Sequence, residues 1–244
     1  MKNKTFKHSG DLGDIIFSLP VIASEGGGVL YLDPNGGEKE PLVSWAQYNK
    51  TKLTEKAIEA IKPVLEAQDY IQEVRLWDPS IKVTHNLDKF RQYIKHNNLT
   101  TSHLDAFGMM GRNEYWQKTP WLKVEPKPLP DGKRIILARS CRYHGNYSFW
   151  EQLQDDVIDN AIFMALPEEF DYFLYTFPRY KGRINRLDTS KLTDLAAYIQ
   201  GCELFIGNQG FPHAVAEGMK KNMINEVYQQ YPSCVFRRDN VRYV

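Results

Sequence analysis

Residues 8–20, His8-Ser9-Gly10-Asp11-Leu12-Gly13-Asp14-Ile15-Ile16-Phe17-Ser18-Leu19-Pro20, constrain this chain more than any other stretch. A short run at 4–7 precedes them and reads as an edge-type first strand; an apolar, helix-like run at 15–23 follows. Gly10 and Gly13 stand between the two. Glycine lets the backbone turn sharply and lets another molecule approach the main chain. Asp14 falls where the pattern starts the helix. Its carboxylate has two uses there: capping free N–H groups, or pointing into whatever the turn lines. Strand, glycine turn and helix start together suit an anionic or sugar-like ligand. The same turn also serves purely structural ends. Two nucleotide motifs are excluded: Gly10-Asp11-Leu12-Gly13 lacks the G-x-G-x-x-G spacing, and no G-K-[ST] follows.

Short apolar runs alternate with helical patterns along the rest of the chain. Strands are predicted at 28–32, 70–77, 133–138, 161–166, 204–206 and 223–227, and helices at 53–67, 87–96, 148–157, from 167, at 193–201 and at 212–219. Ser148 is the expected cap of the 148–157 helix. Asp33-Pro34-Asn35-Gly36-Gly37 is a strong turn, and the apolar stretch 104–110 reads as buried. Such alternation predicts an α/β fold with parallel, doubly wound sheets. Residues 121–131 hold Pro126, Pro128 and Pro130 before an Asp-Gly pair, which stops both helix and central strand. They are the expected linker between domains 1–126 and 127–244.

Charge removes some functions. The net charge is +1, and residues 1–126 carry 16 Lys and Arg against 16 Asp and Glu. Neither half is a basic module, which speaks against nucleic acid as the main partner. Cys141, Cys202 and Cys234 are far apart, an odd count that suits a reducing compartment and not a zinc knuckle. Asp11 and Asp14 before the 15–23 run argue against a signal peptide, and no run reaches the length of a membrane span. The expectation is a cytoplasmic protein. The histidines show no metal-binding pairing. Arg179, Lys181, Arg183 and Arg186 read as wet surface, and the aromatics at 170–180 as core or interface.

A second anchor lies at Leu204-Phe205-Ile206-Gly207-Asn208-Gln209-Gly210-Phe211-Pro212-His213-Ala214-Val215-Ala216-Glu217-Gly218. A short strand ends at Ile206, Gly207 and Gly210 bracket a polar turn, and Pro212 opens a helix whose free N–H groups suit a diphosphate. His213 stands in the first turn, either as a ligand or as a surface or capping histidine. This stretch, with 195–203 before it, resembles the donor-site segment of the heptosyltransferase-like glycosyltransferases, family 9. Residues 9–20 resemble the N-terminal segment of the same family. The two motifs come in the right order and in the right halves.

The resemblance implies an α/β fold of GT-B type, two Rossmann-like domains facing across a cleft. It implies an inverting, metal-independent transfer of a sugar from a nucleotide-sugar co-substrate to the hydroxyl of a saccharide or other acceptor. Asp14 becomes the general base, with Asp11 as second candidate, in an acceptor loop containing Gly10, Leu12 and Gly13. Donor-side residues are Arg142 first, then Arg139 and Ser140, with Asn208, Gln209, Gly210 and His213; Glu217 is a weaker candidate for a ribose. The sequence departs from the family at Asn208, where an aspartate is common, so the sugar and the nucleotide are not carried over. The chain is also shorter than is usual and stops soon after Arg242, so the expectation is that the helix that often crosses back is absent. Two alternatives stay open: a non-catalytic nucleotide-sugar or carbohydrate-binding protein derived from such an enzyme, and, by fold analogy alone, a transferase acting on modified DNA bases.

Overall fold

The computed structural model describes residues 4–35, 53–94, 96 and 98–244. They divide into two units, Met1–Asn113 and Glu114–Val244. The first holds β1 (Thr5–His8), α1 (Leu12–Ser24), β2 (Gly28–Leu32), α2 (Glu55–Glu66), β3 (Ile71–Leu76), β4 (His85–Asn86) and α3 (Leu99–Ala106). Its sheet runs β3-β2-β1-β4, all parallel. β1 is therefore interior and not the edge-type strand expected at 4–7. Phe6 and His8 enter the core, while the Lys7 ammonium lies 2.9 Å from Asp33 and 3.4 Å from Asp88, which neutralise it. α1 is apolar around its whole circumference, with residues 15–22 buried, as a helix enclosed on all sides requires.

Two further expectations in this unit change. A 3-10 helix, Leu87–Tyr93, replaces the α-helix expected at 87–96, of which Lys95 lies outside the described residues. Its buried residues, Leu87 and Phe90, are three apart, the repeat of that tighter helix. Of the stretch 104–110 only Leu104 is buried, because α3 ends and Gly108, at φ +70°, turns the chain outward. The turn at 33–37 begins as expected with the Asn35 N–H donating to Asp33; Gly36 and Gly37 lie outside the described residues.

α4 (Asn113–Lys118) leads into the second unit, which holds β5 (Ile135–Ala138), α5 (Tyr147–Glu151), α6 (Asp155–Asp159), β6 (Ala161–Met164), α7 (Pro167–Thr176), β7 (Arg186–Leu187), α8 (Leu192–Gly201), β8 (Leu204–Asn208), α9 (Phe211–Gly218), β9 (Met223–Glu226) and β10 (Val241–Tyr243). Its sheet runs β10-β9-β8-β5-β6-β7, again all parallel. The helix expected at 148–157 is two short ones. Leu153 and Ile158 are both buried, yet five residues place side chains about 140° apart on a straight helix. Its cap is Asn146 and not Ser148: the Asn146 carboxamide oxygen accepts from the Phe149 N–H and from the Ser148 hydroxyl. Phe173, Phe177 and Tyr180 join Trp150 and Phe163 in the core, and Arg179 and Arg183 pair with Asp155 on the surface.

The proline-rich segment packs onto the second unit as an extended strap. Trp121 and Leu122 are buried, and their N–H groups donate to the Gly218 carbonyl at 2.9 and 3.0 Å. The Lys127 N–H donates to Ala197, and a Cβ at Gly201 would stand 2.0 Å from the Lys127 carbonyl oxygen. The docking therefore needs a glycine at the end of α8. Gly201→Ala is expected to destabilise the protein by about 2 kcal/mol, since backbone and not a flexible side chain must move. A fall in the urea midpoint measures this; an unchanged midpoint contradicts the docking.

The strand orders place the two sequence motifs alike. In the first sheet β2 and β3 lie on one side of β1 and β4 on the other. In the second, β6 and β7 lie on one side of β5, and β8, β9 and β10 on the other. These reversals are switch points, where the loops leaving adjacent strand ends part and open a crevice. The Gly10 turn leaves β1 at one, and the Asn208 turn leaves β8 beside β5 at the other.

Candidate functional site

In the first unit α1 begins earlier than the pattern suggested. Asp11 is the N-cap residue, and the Ile15 N–H donates to its carbonyl at 3.1 Å. Leu12 and Gly13 are thus helical, and Asp14 sits in the first turn instead of at the cap. Gly10 explains how its carboxylate is held. A Cβ there would lie 2.7 Å from Asp14 Oδ2 and 2.6 Å from His8 Cε1. Only glycine lets the Asp14 side chain fold back over this position.

Beneath the turn runs a chain of buried hydrogen bonds. The Gly10 N–H donates to His8 Nδ1 at 2.8 Å, His8 Nε2 faces His103 Nε2 at 3.3 Å, and His103 Nδ1 faces the Leu99 carbonyl at 2.8 Å. The two backbone ends assign the tautomers. His8 Nδ1 accepts, so its proton is on Nε2 and is donated to His103, whose own proton on Nδ1 goes to Leu99. Both rings are neutral. Burial holds His8 down at about 3, helped by Arg91 and Lys7, and burial also pushes His103 well below its ordinary value. Asp88 adds a second hold, accepting the Ser9 N–H at 3.0 Å. His103 and Asp88, far away in sequence, carried no local signal of this role.

In the second unit two consecutive carboxamides fix the loops around the switch point. Asn208 Oδ1 accepts from the Ser140 N–H at 2.9 Å, and its Nδ2 donates to the Arg142 carbonyl at 2.5 Å and to the Ser140 carbonyl at 3.3 Å. An aspartate has no proton for those two carbonyls. The departure from the family pattern is thus what this loop conformation requires. Gln209 does the same on the other side: its Oε1 accepts from the Tyr228 N–H at 2.7 Å and its Nε2 donates to the Tyr231 carbonyl at 2.8 Å. Gly210 is the N-cap residue of α9. A Cβ there would make ordinary contacts with Ser140 Oγ at 3.8 Å and Pro212 Cδ at 3.9 Å, so the helix start lies beside the Ser140 loop.

Three residues expected on the donor side lie deeper than the sequence implied. Arg139 is 3% exposed and makes a bidentate pair with Glu226, at 2.8 and 3.1 Å. Rings of Tyr147, Phe177 and Trp150 surround its guanidinium at 4.7, 5.3 and 5.8 Å. Glu226 also accepts from the Gly145 and Asn146 N–H groups and from Trp150 Nε1. Burial pushes the Glu226 carboxyl up, but Arg139 and these donors outweigh it, and the net shift is downward. Glu217 is fully buried between Lys220, at 2.6 Å, and Arg238, at 2.9 Å. His213 is buried beside them and held down at about 3, by burial first and then by Arg238 and Lys220. Arg139 and Glu217 brace the unit because their charges are already neutralised, and His213 is sealed into its core. Ser140, Arg142 and Gly210 keep partial exposure. Among the described residues no cluster of His, Cys, Asp and Glu could hold a metal ion, and no helix is long and apolar enough to cross a membrane.

No family model and no curated protein sequence matches the chain. Solved structures do. The family 9 glycosyltransferase from Veillonella parvula DSM 2008 matches with a TM-score of 0.62 at 11% identity, over 100% of this chain and 86% of that one. The E. coli heptosyltransferase WaaC, solved with ADP-2-deoxy-2-fluoro heptose, matches with 0.55 at 8%, over 98% and 92%. E. coli ADP-heptose lps heptosyltransferase II matches with 0.53 at 9%, over 99% and 90%. At these identities the likeness establishes the α/β fold that the motifs implied.

Two outcomes follow from the clamps. Between pH 6.5 and 3 the unfolded chain binds more protons than the native state does, because His8, His103 and His213 stay neutral when folded. Stability from these residues is complete above 6.5 and is lost as pH falls toward 3. The urea midpoint should start to drop near pH 6.5, before carboxylates titrate; a flat midpoint from pH 7.5 to 5 refutes this. Asn208→Asp removes two donated bonds and sets a carboxylate against two carbonyls. It is expected to cost about 2 kcal/mol, read as a lowered denaturation midpoint at pH 7.

Proposed function

We propose that this chain is a glycosyltransferase that moves a sugar from a nucleotide-sugar donor to an acceptor hydroxyl. The observation that carries the reading is the placement of both motif loops. Each leaves the carboxyl end of a parallel strand at the switch point of its own sheet, where open α/β sheets bind ligands. The fold shared with solved glycosyltransferases supports it.

In this reading the first unit receives the acceptor at the Gly10 turn and the second binds the donor beside Ser140, Arg142 and Gly210. Asp14 takes the proton from the acceptor hydroxyl. The hydroxyl oxygen forms a bond to the anomeric carbon from the face opposite the leaving group, and the bond from that carbon to the diphosphate oxygen breaks. The electron pair leaves with the nucleoside diphosphate, and the configuration inverts. Negative charge gathers on the departing diphosphate. The Arg142 guanidinium, the Ser140 hydroxyl and the first N–H groups of α9 answer it with positive charge and donated hydrogen bonds, so no metal ion is required.

A panel of ADP-, GDP-, UDP- and CMP-linked sugars, screened by thermal shift and then for transfer, tests the proposal. A specific donor raises the melting temperature by mass action. Asp14→Asn is expected to lower turnover at least about 100-fold, the scale of a lost general base, while donor affinity stays within a few-fold. Undiminished turnover removes Asp14 from the role. Binding without turnover for any acceptor replaces the enzyme with a binding protein.

A further inference from the structure

We propose that Tyr143, Tyr228 and Tyr231 form a stacking shelf for the base of a nucleoside diphosphate. The inference rests on the donor reading above and adds to it the residues that hold the base. The tyrosines stand on the loops leaving β5 and β9, the two strands that flank β8. Their rings form a continuous series: Tyr143 and Tyr228 have centroids 5.9 Å apart at 52°, and Tyr228 and Tyr231 are 6.1 Å apart at 26°. Tyr231 is 64% exposed, and the other two are half-buried. An aromatic ring so exposed at a loop tip gains little from folding alone.

The loops are held in a way that serves the rings. Asn208 ties the chain just before Tyr143, and Gln209 ties the backbone of both Tyr228 and Tyr231. Two neighbouring amides at the end of one strand thus bring aromatic side chains from two separate loops together. Tyr143 moreover sits at φ +58°, a left-handed conformation unfavourable for a residue with a Cβ, as Asp131 and Lys220 also do. The Arg142 guanidinium lies 5.2 Å from the Tyr143 ring, so positive charge accompanies the aromatic surface. The start of α9 is on the neighbouring loop, at Gly210. Flat apolar faces next to a cation and a helix start match one ligand chemistry well: a planar base joined to a short anionic tail.

Stacking does not read hydrogen-bond edges, so the shelf accepts every base and favours those with larger rings. The full chain is titrated by calorimetry with ADP, GDP, UDP, CDP and inorganic pyrophosphate. Wild type is expected to bind ADP and GDP more tightly than UDP and CDP. Tyr231→Ala should weaken ADP about tenfold, Tyr231→Phe should keep wild-type affinity, and pyrophosphate should bind both variants as it binds wild type. The exposure of Tyr231 leaves the fold of these variants intact, checked by their denaturation midpoints. ADP binding unchanged in Tyr231→Ala and in Tyr228→Ala overturns the shelf and leaves the donor reading standing. A wild type that binds no nucleoside diphosphate overturns both.

Discussion

One buried carboxylate organises the loops at the second unit's switch point. Glu226, at the end of β9, is reached by two guanidinium N–H groups of Arg139, two consecutive backbone N–H groups and the indole of Trp150. Taking an ion pair out of water is expensive, and it is tolerated only where the remaining lone pairs are filled. Here they are. The arrangement joins the end of β9 to the loop after β5 and to α5, spanning β8 from both sides. Removing either charge would leave the other buried and alone, so this pair fixes the loop that carries Ser140, Arg142 and Tyr143. A Cβ at Gly145 would lie 2.0 Å from the Val227 carbonyl oxygen, which shows how closely the two loops are drawn together.

The first unit secures its turn chiefly through neutral groups, with the Asp88 carboxylate as a second hold. Its turn hangs from a neutral imidazole pair, ordered by a backbone donor at one end and a backbone acceptor at the other. The Phe90 ring stacks on His103 at 4.1 Å and closes off water. Excluding water makes the bonds stronger and also makes protonation costly, which is why both rings stay neutral. Both sheets thus have a switch point with a loop leaving it, but the two units differ in what secures that loop.

The sequence made the punctuation of this fold readable and left its long-range pairings hidden. Glycine turns, proline at helix starts and short β-rich runs signal local geometry, so both switch-point loops and most strands lie where the residues put them. The roles of Arg139, Glu217 and His213 were not readable in the same way. A basic residue after a strand looks alike whether it faces solvent or a glutamate 87 positions away. His8 pairs with a residue 95 positions on, and nothing near either histidine announces the other. The split between α5 and α6 was hidden because it follows from which side chains reach the core and not from propensity. β10 pairs with β9 at its outer side, and its three residues are too few to give a periodic signal.

Asn208 shows why a single departure from a family pattern needs a structural reading before a chemical one. Taken as a lost charge, it suggests a changed or weakened donor site. Taken with its partners, it has one N–H to accept and two carbonyls to satisfy, a set that an amide meets and a carboxylate does not. With an aspartate at 208, the carbonyls of Ser140 and Arg142 would have to turn elsewhere, and the loop could not hold Tyr143 where it is. The change at 208 is thus coupled to the conformation of the loop across the switch point. Any effect on the ligand acts through the surface that loop presents, and the absent charge is only part of it.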